Sequence, residues 1–325
     1  MNILMVYPEN PDTFWSFKHI MKFVGRKAAF PPLGLLTVAS MLPENWQKKL
    51  VDMNVNDLTD DDIEWADMVF ISAMIVQKDS AFDVIERSKA MGKTIIAGGP
   101  WFSSQETLCD GVDHFVLNEA EVTLPMFLAD FASGRLKKVY TSQERPDIRQ
   151  TPTPMWSLIN LKKYVTMPVQ YSRGCPFDCE FCDIVIMNGR VPRTKTPEQL
   201  IIEIQSLYDA GWKGAIFIVD DNFIGNSRKV KQMLPELIAW QKRMKYPFTF
   251  LTEASTDLAE DIELLEMMRD ANFYKVFVGL ETPDVESLKE CGKYQNTKID
   301  LKTAVQTIHQ RCLKLRFVLF SRSVL

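Results

Sequence analysis

The sequence predicts an α/β protein in two parts: a doubly wound parallel sheet, then an incomplete parallel (β/α) barrel. Three observations carry that expectation. Short apolar runs alternate with helical patterns over residues 1–140, the pattern of strands crossed over by helices. A polar stretch with three prolines follows at Thr141–Pro154 and carries the composition of a linker running over the surface. Strand–helix units of similar length then resume and continue almost to the end. The expected division is 1–140, a linker at 141–165, and 166–325.

In the first part the strands are expected at Ile3–Tyr7, Lys49–Met53, Met68–Ala73, Thr94–Ala97 and His114–Leu117, with helices over Gly34–Leu42 and Ala81–Met91. The acidic run Asp57–Glu64 suits a solvated loop and the start of a helix better than a metal site. In the second part Val169–Tyr171 is a short strand. Thr196 is a candidate N-cap, with Pro197 in the first turn and Gln199 at the capping-box position. The helix they open places Leu200, Ile201, Ile204, Leu207 and Tyr208 on one face and ends at Gly211. Ala215–Val219, Phe248–Leu251 and Lys275–Leu280 follow as strands, separated by helices over Ser227–Arg243 and Leu258–Met268. A fifth strand is expected within Leu313–Phe320.

The 325 residues carry 38 basic and 42 acidic side chains, a net charge of −4, which calls for no nucleic acid or polyanionic partner. No run approaches the roughly 18 apolar residues of a membrane span. Met1–Pro8 is too short and lacks the basic flank of a signal peptide, so it reads as a first strand. Six cysteines, three of them in one loop, suit a reducing compartment, and the cytoplasm is expected.

That loop is the densest chemistry in the chain. Cys175, Cys179 and Cys182 are spaced C-x3-C-x2-C, and thiolates this close can enclose an iron–sulfur cluster or zinc. Three ligands leave a coordination position open, and open positions are where substrates bind. Cys109, Cys291 and Cys312 are remote and read as bystanders, and the 16 methionines read as core filling. Active sites in parallel barrels lie at the carboxyl ends of the strands. Those ends carry, in order, the cysteines, Asp220-Asp221-Asn222, Thr252-Glu253 and Glu281-Thr282. Any one of these acids, read alone, serves equally as a cap or a solvated carboxylate. In the first part the corresponding ends carry Ser72, Gly98-Gly99-Pro100 and Asn118–Glu121. His19 and His114 read as packing or surface residues.

The cysteine spacing, with Arg173-Gly174 before it, resembles the cluster loop of the radical S-adenosylmethionine (SAM) enzymes. Phe30–Leu36, Ala97–Pro100 and Asn118–Glu121 resemble the Rossmann-like cobalamin-binding domain that precedes the radical module in one large subfamily, whose members include class B methyltransferases. The resemblance implies a 4Fe-4S cluster on Cys175, Cys179 and Cys182, with SAM on its open iron. It implies SAM contacts from Phe181, Asp221, Asn222, Glu253 and Glu281. Ser72, Gly98, Gly99, Glu119 and Glu121 are the implied cobalamin contacts. The histidine of the D-x-H-x-x-G pattern that ligates cobalt elsewhere is absent; the subfamily often lacks it, and water or an empty lower position is expected.

The activity so implied is reductive cleavage of SAM with methylation of an unactivated carbon of a small molecule, cobalamin carrying the methyl group. An external one-electron donor of flavodoxin or ferredoxin type is implied as partner. Other outcomes stay open: a radical SAM rearrangement, cyclisation or ring cleavage, or a non-enzymatic iron–sulfur electron-transfer protein. The family continues past a fifth strand with a glycine-rich turn and further elements. This chain stops at Leu325, which reads as a truncation that leaves its own activity open.

Overall fold

The computed structural model describes residues 1–13, 21, 23–105, 109–311 and 314–319. They form two compact units, Met1–Val165 and Thr166–Leu325. His19 and Cys312 lie outside the described residues.

The first unit is built on β1 (Asn2–Tyr7), whose Ile3, Leu4, Met5 and Val6 are all fully buried. A strand apolar on both faces belongs at the centre of a covered sheet. It pairs in parallel with β2 (Gln47–Asp52) on one side and β3 (Met68–Ser72) on the other. β4 (Thr94–Gly98), β5 (His114–Val116) and β6 (Val139–Tyr140) extend the sheet to the order β2-β1-β3-β4-β5-β6. Helices α1 (Leu33–Met41), α2 (Asp60–Trp65), α3 (Lys78–Ala90), α4 (Pro100–Gln105) and α5 (Ala120–Ala132) fall between the strands. The acidic run opens α2: Thr59 and Asp62 cap each other reciprocally, and Asp60, Asp61 and Asp62 occupy the positively polarised first turn. The strand order reverses between β1 and β3, and the crevice at such a reversal, beyond the carboxyl ends, is where open α/β sheets bind ligands.

Residues 141–165, expected as a surface linker, belong to the first unit. Ile148, Trp156 and Tyr164 are buried. Tyr164 donates its hydroxyl to Asp52 Oδ2 at 3.0 Å, and Ser40 donates to Thr153 O at 2.7 Å. Polar, proline-rich composition gave a surface path; three buried side chains and these bonds hold the segment down instead.

The second unit is a five-stranded parallel sheet in plain chain order. Its strands are β7 (Thr166–Val169), β10 (Ala215–Ile218), β11 (Thr249–Ala254), β12 (Phe273–Glu281) and β13 (Lys314–Leu319). Parallel strands added always on the same side, through right-handed crossovers, put every helix on one face, as in a barrel wall. Between β7 and β10 a small antiparallel pair, β8 (Ser172–Arg173) with β9 (Arg193–Thr194), brackets the cysteine loop and the short helix α6 (Ile184–Asn188). The crossover helices are α7 (Pro197–Asp209), α8 (Ser227–Arg243), α9 (Ile262–Asp270), α10 (Val285–Glu290) and α11 (Leu301–Gln310). Thr196 caps α7 by accepting from Gln199 N at 3.1 Å. Met167, Ile216, Phe250 and Val276 of the strands are fully buried, as is Leu265 of α9. Among the described residues no helix is long and apolar enough to cross a membrane.

Candidate functional site

The cysteine loop is tied down where it leaves the sheet. Asp220, just past β10, accepts from Tyr171 N and Ser172 Oγ, both at 2.7 Å. Burial pushes its carboxyl up to about 7, against the lowering effect of those bonds. Asp221 Oδ2 accepts from Gly174 N at 2.8 Å and from Asn188 Nδ2 at 2.9 Å. One carboxylate thus pins both ends of the loop. Gly174 has φ +101, and a Cβ there would lie 2.8 Å from Gly189 O, so no other residue lets the two limbs meet.

Cys175, Cys179 and Cys182 are free and half-buried on this loop. Cys182 N bonds Cys179 O at 3.1 Å, which turns the chain between them. Burial raises the Cys175 thiol, and the charges of Cys179 and Cys182 raise it further, so the three sulfurs lie within electrostatic reach. The Asn222 side chain and Phe177 N counter this by hydrogen-bonding to the sulfur. Gln295 Nε2 stands 3.5 Å from Cys179 Sγ. Among the described residues no three His, Cys, Asp or Glu side chains converge on one point as a single ion would require. A four-iron cube takes each thiolate on a different iron and asks for wider spacing. Three ionisable sulfurs with amide donors aimed at two of them fit that group.

Around the loop, the predicted SAM contacts fall into different situations. Phe181 is 56% exposed, its ring backed by the Lys293 ammonium at 5.5 Å. Asn222 bridges the second and third strand ends through Nδ2 to Ser255 Oγ at 3.0 Å. Burial, then the charge of Asp221, pushes the Glu253 carboxyl up to about 7. Two partly desolvated acids at one rim favour a cation, which would relieve both. Glu281, by contrast, is already paired with Lys293. Gly292, Lys293, Gln295 and Asn296, which meet the loop or support it, carry no sequence signal beyond an amide pair in a stretch without period.

In the first unit, Ser72 at the end of β3 lies in register with Gly98 at the end of β4. Gly99 has φ +91, and a Cβ on it would lie 2.4 Å from Ser72 Oγ. These three residues therefore share one spot on the carboxyl rim. Met74, Ile75 and Val76 stand exposed immediately after β3. Backbone and apolar side chains at a sheet rim fit a large, flat ligand. Glu119 and Glu121 turn toward the 141–165 segment: Glu119 lies 3.6 Å from Arg145, and Thr151 donates to Glu121 at 2.6 Å. His114 opens β5, at the opposite end of the sheet from this rim, with Nδ1 2.6 Å from Lys137 O.

Both halves of the chain match known families. Residues 169–319 match the family model described as the Radical SAM superfamily, and residues 24–128 match the B12 binding domain. An uncharacterized methyltransferase of Synechocystis sp. (strain ATCC 27184 / PCC 6803 / Kazusa) is 49% identical over 95% of this chain and 58% of its own length. The hopanoid C-2 methylase of Rhodopseudomonas palustris (strain TIE-1) is 37% identical over 94% of this chain and 59% of its own. The chain thus spans under three fifths of the length of both relatives. The structure of the cobalamin-dependent SAM radical enzyme OxsB, with aqua-cobalamin and SAM bound, superposes with a TM-score of 0.76. It is 20% identical and covers 98% of this chain and 49% of that one. The radical SAM methyltransferase TsrM from Kitasatospora setae, with cobalamin and a [4Fe-4S] cluster bound, gives 0.74 at 14% identity, over 98% of this chain and 69% of that one. At these identities the two structures show a shared fold.

Proposed function

The chain belongs to the radical SAM superfamily, in the branch whose radical module follows a B12 binding domain, and we propose that it serves a cobalamin-dependent C-methyltransferase. When bound, a 4Fe-4S cluster supplies the electron that cleaves SAM, and cobalamin carries the methyl group. The observation that carries the reading is the cysteine loop itself. Three thiols sit on a segment pinned by Asp220 and Asp221, with amides facing two of the sulfurs and a raised carboxyl, Glu253, on the same rim.

The chain's own residues bind and orient. Cys175, Cys179 and Cys182 hold the cluster. Asp221 and Glu253 favour SAM's positive charge, Asn222 fixes the rim between them, and Phe181 offers an exposed ring for the adenine to lie against. Glu281 acts through Lys293, placing the ammonium behind that ring. Ser72, Gly98 and Gly99 form the bed for cobalamin; Glu119 and Glu121 act on the same ligand by fixing the rim's flank.

The acceptor is an unactivated carbon of a small molecule, and the 37% identity to a hopanoid methylase supports an apolar, polycyclic one. An external donor of flavodoxin or ferredoxin type delivers the electron, in the cytoplasm. The test is anaerobic reconstitution with iron, sulfide and hydroxocobalamin, followed by a one-electron reductant, an apolar polycyclic acceptor and SAM labelled in its methyl group. Wild type should cleave SAM and pass the label through cobalamin to product. Full iron and undiminished SAM cleavage in Cys179→Ala would end this reading.

A further inference from the structure

The turn that follows α10 reaches back to the cysteine loop and touches it along its length. Cys291 O accepts from Glu180 N at 2.9 Å. Gly292 comes next at φ +70, and a Cβ there would lie 2.7 Å from Asp178 O, so the two segments meet this closely only through a glycine. Gln295 then brings Nε2 to 3.5 Å from Cys179 Sγ. This amide is held from behind. Thr256 Oγ1 donates to Asn296 Oδ1 at 2.9 Å and lies 3.4 Å from Gln295 O. Asn296 Nδ2 in turn donates to Gly279 O and Leu280 O, at 2.9 and 3.0 Å. The donor therefore stands on the end of β12 rather than on the loop whose sulfur it meets, and Gln295 is only 5% exposed.

We propose that Gln295 sets the reduction potential of the cluster by donating its Nε2–H to the Cys179 sulfur, the 291–296 turn being the support that places it. The inference rests on the reading that Cys175, Cys179 and Cys182 hold a four-iron cluster. Reduction adds negative charge that the ligand sulfurs share. A hydrogen bond to a sulfur stabilises the reduced form more than the oxidised one and raises the potential. Buried from water, the amide meets little competition for that bond. Gln295 is a positioning residue in this scheme; it touches no substrate and transfers nothing.

The full chain, reconstituted anaerobically, is poised at a series of potentials while the EPR signal of the reduced cluster is recorded. Gln295→Leu, and Gln295→Met as an unbranched second replacement, should keep wild-type iron yet shift the reduction equilibrium about tenfold toward the oxidised form, about 59 mV for one electron. Gln295→Glu, which puts a negative charge in place of the donor, should go lower still. In wild type, deuterium ENDOR should detect an exchangeable proton coupled to the cluster, absent in Gln295→Leu. An unchanged midpoint in an apolar variant with full iron overturns the proposal. So does the absence of that proton in wild type, which decides the matter even if both apolar variants misfold. If wild type itself binds fewer than about four irons per chain, or Cys179→Ala keeps the cluster, the cluster reading has failed first and takes this proposal with it.

Discussion

Glu281 and Lys293 form an ion pair with no more than 10% of either side chain exposed. Glu281 closes β12 at φ +64. Its Oε2 is buried without a hydrogen bond, so Lys293 is what compensates its charge. Gly279 makes room for the pair: a Cβ there would lie 2.5 Å from the carboxylate and 2.6 Å from the ammonium. Lys293→Met should strand a buried charge and cost about 3–5 kcal/mol. Lys293→Met combined with Glu281→Gln should recover most of that. Urea unfolding measures both, and equal losses would mean that the charge is not what matters.

Asp221 accepts at one oxygen from Gly174 N and Asn188 Nδ2. Hydrogen bonds to a charged group contribute about 1.5–3 kcal/mol each. Asp221→Ala should therefore lower the melting temperature and the iron retained after reconstitution, with Asp221→Asn between it and wild type. Wild-type melting and iron in Asp221→Ala would show that the loop does not depend on this anchor.

The Glu253 carboxyl, pushed up to about 7 by burial and by Asp221, gives SAM binding a pH dependence of definite sign. A cation on this rim favours the ionised acid, so affinity should be greatest above about pH 7 and fall as the pH drops through it. The loss between pH 8 and pH 6 should be about tenfold. Ligand-free stability runs the other way. The folded-state value lies above the unfolded one, so the folded protein holds the proton more tightly and gains stability as the pH falls below about 7 toward the ordinary carboxylate range. Calorimetry of SAM binding with wild type and Glu253→Gln checks the first claim: a slope that survives in Glu253→Gln belongs to another group.

Tyr164→Phe removes the donor to Asp52 and should cost about 1–3 kcal/mol. The segment it secures contains Arg145 and Arg149. Limited trypsin digestion should cut there faster in the variant; an unchanged rate would show that Trp156 and Ile148 hold the segment without help.

Much of this architecture is legible from residue order. The buried run Ile3–Val6, the short apolar runs of β4 and β10, and the Thr196-Pro197 start of α7 are local signals, and each produces its element. All five second-unit strands lie within a few residues of the apolar runs that signal them, and the cysteine spacing marks the loop outright. What escaped is non-local or very short. β8 and β9 are two residues each and polar, with no period to detect. α5 went unread because its apolar residues encircle it and Pro125 interrupts the pattern. The anchoring of 141–165 depends on single side chains meeting partners such as Asp52, 112 positions away from Tyr164. The turn at 291–296 meets its sulfur across 116 positions.

That last separation bears on how the protein comes into being. In the second unit each parallel strand is laid beside its predecessor, so the sheet can assemble in the order of synthesis, while the cysteines emerge early and their backing emerges late. Iron taken up before Gln295 has left the ribosome would therefore meet the three thiols without their late amide. Nascent chains arrested ahead of that residue should hold any cluster at the lower potential expected of Gln295→Leu.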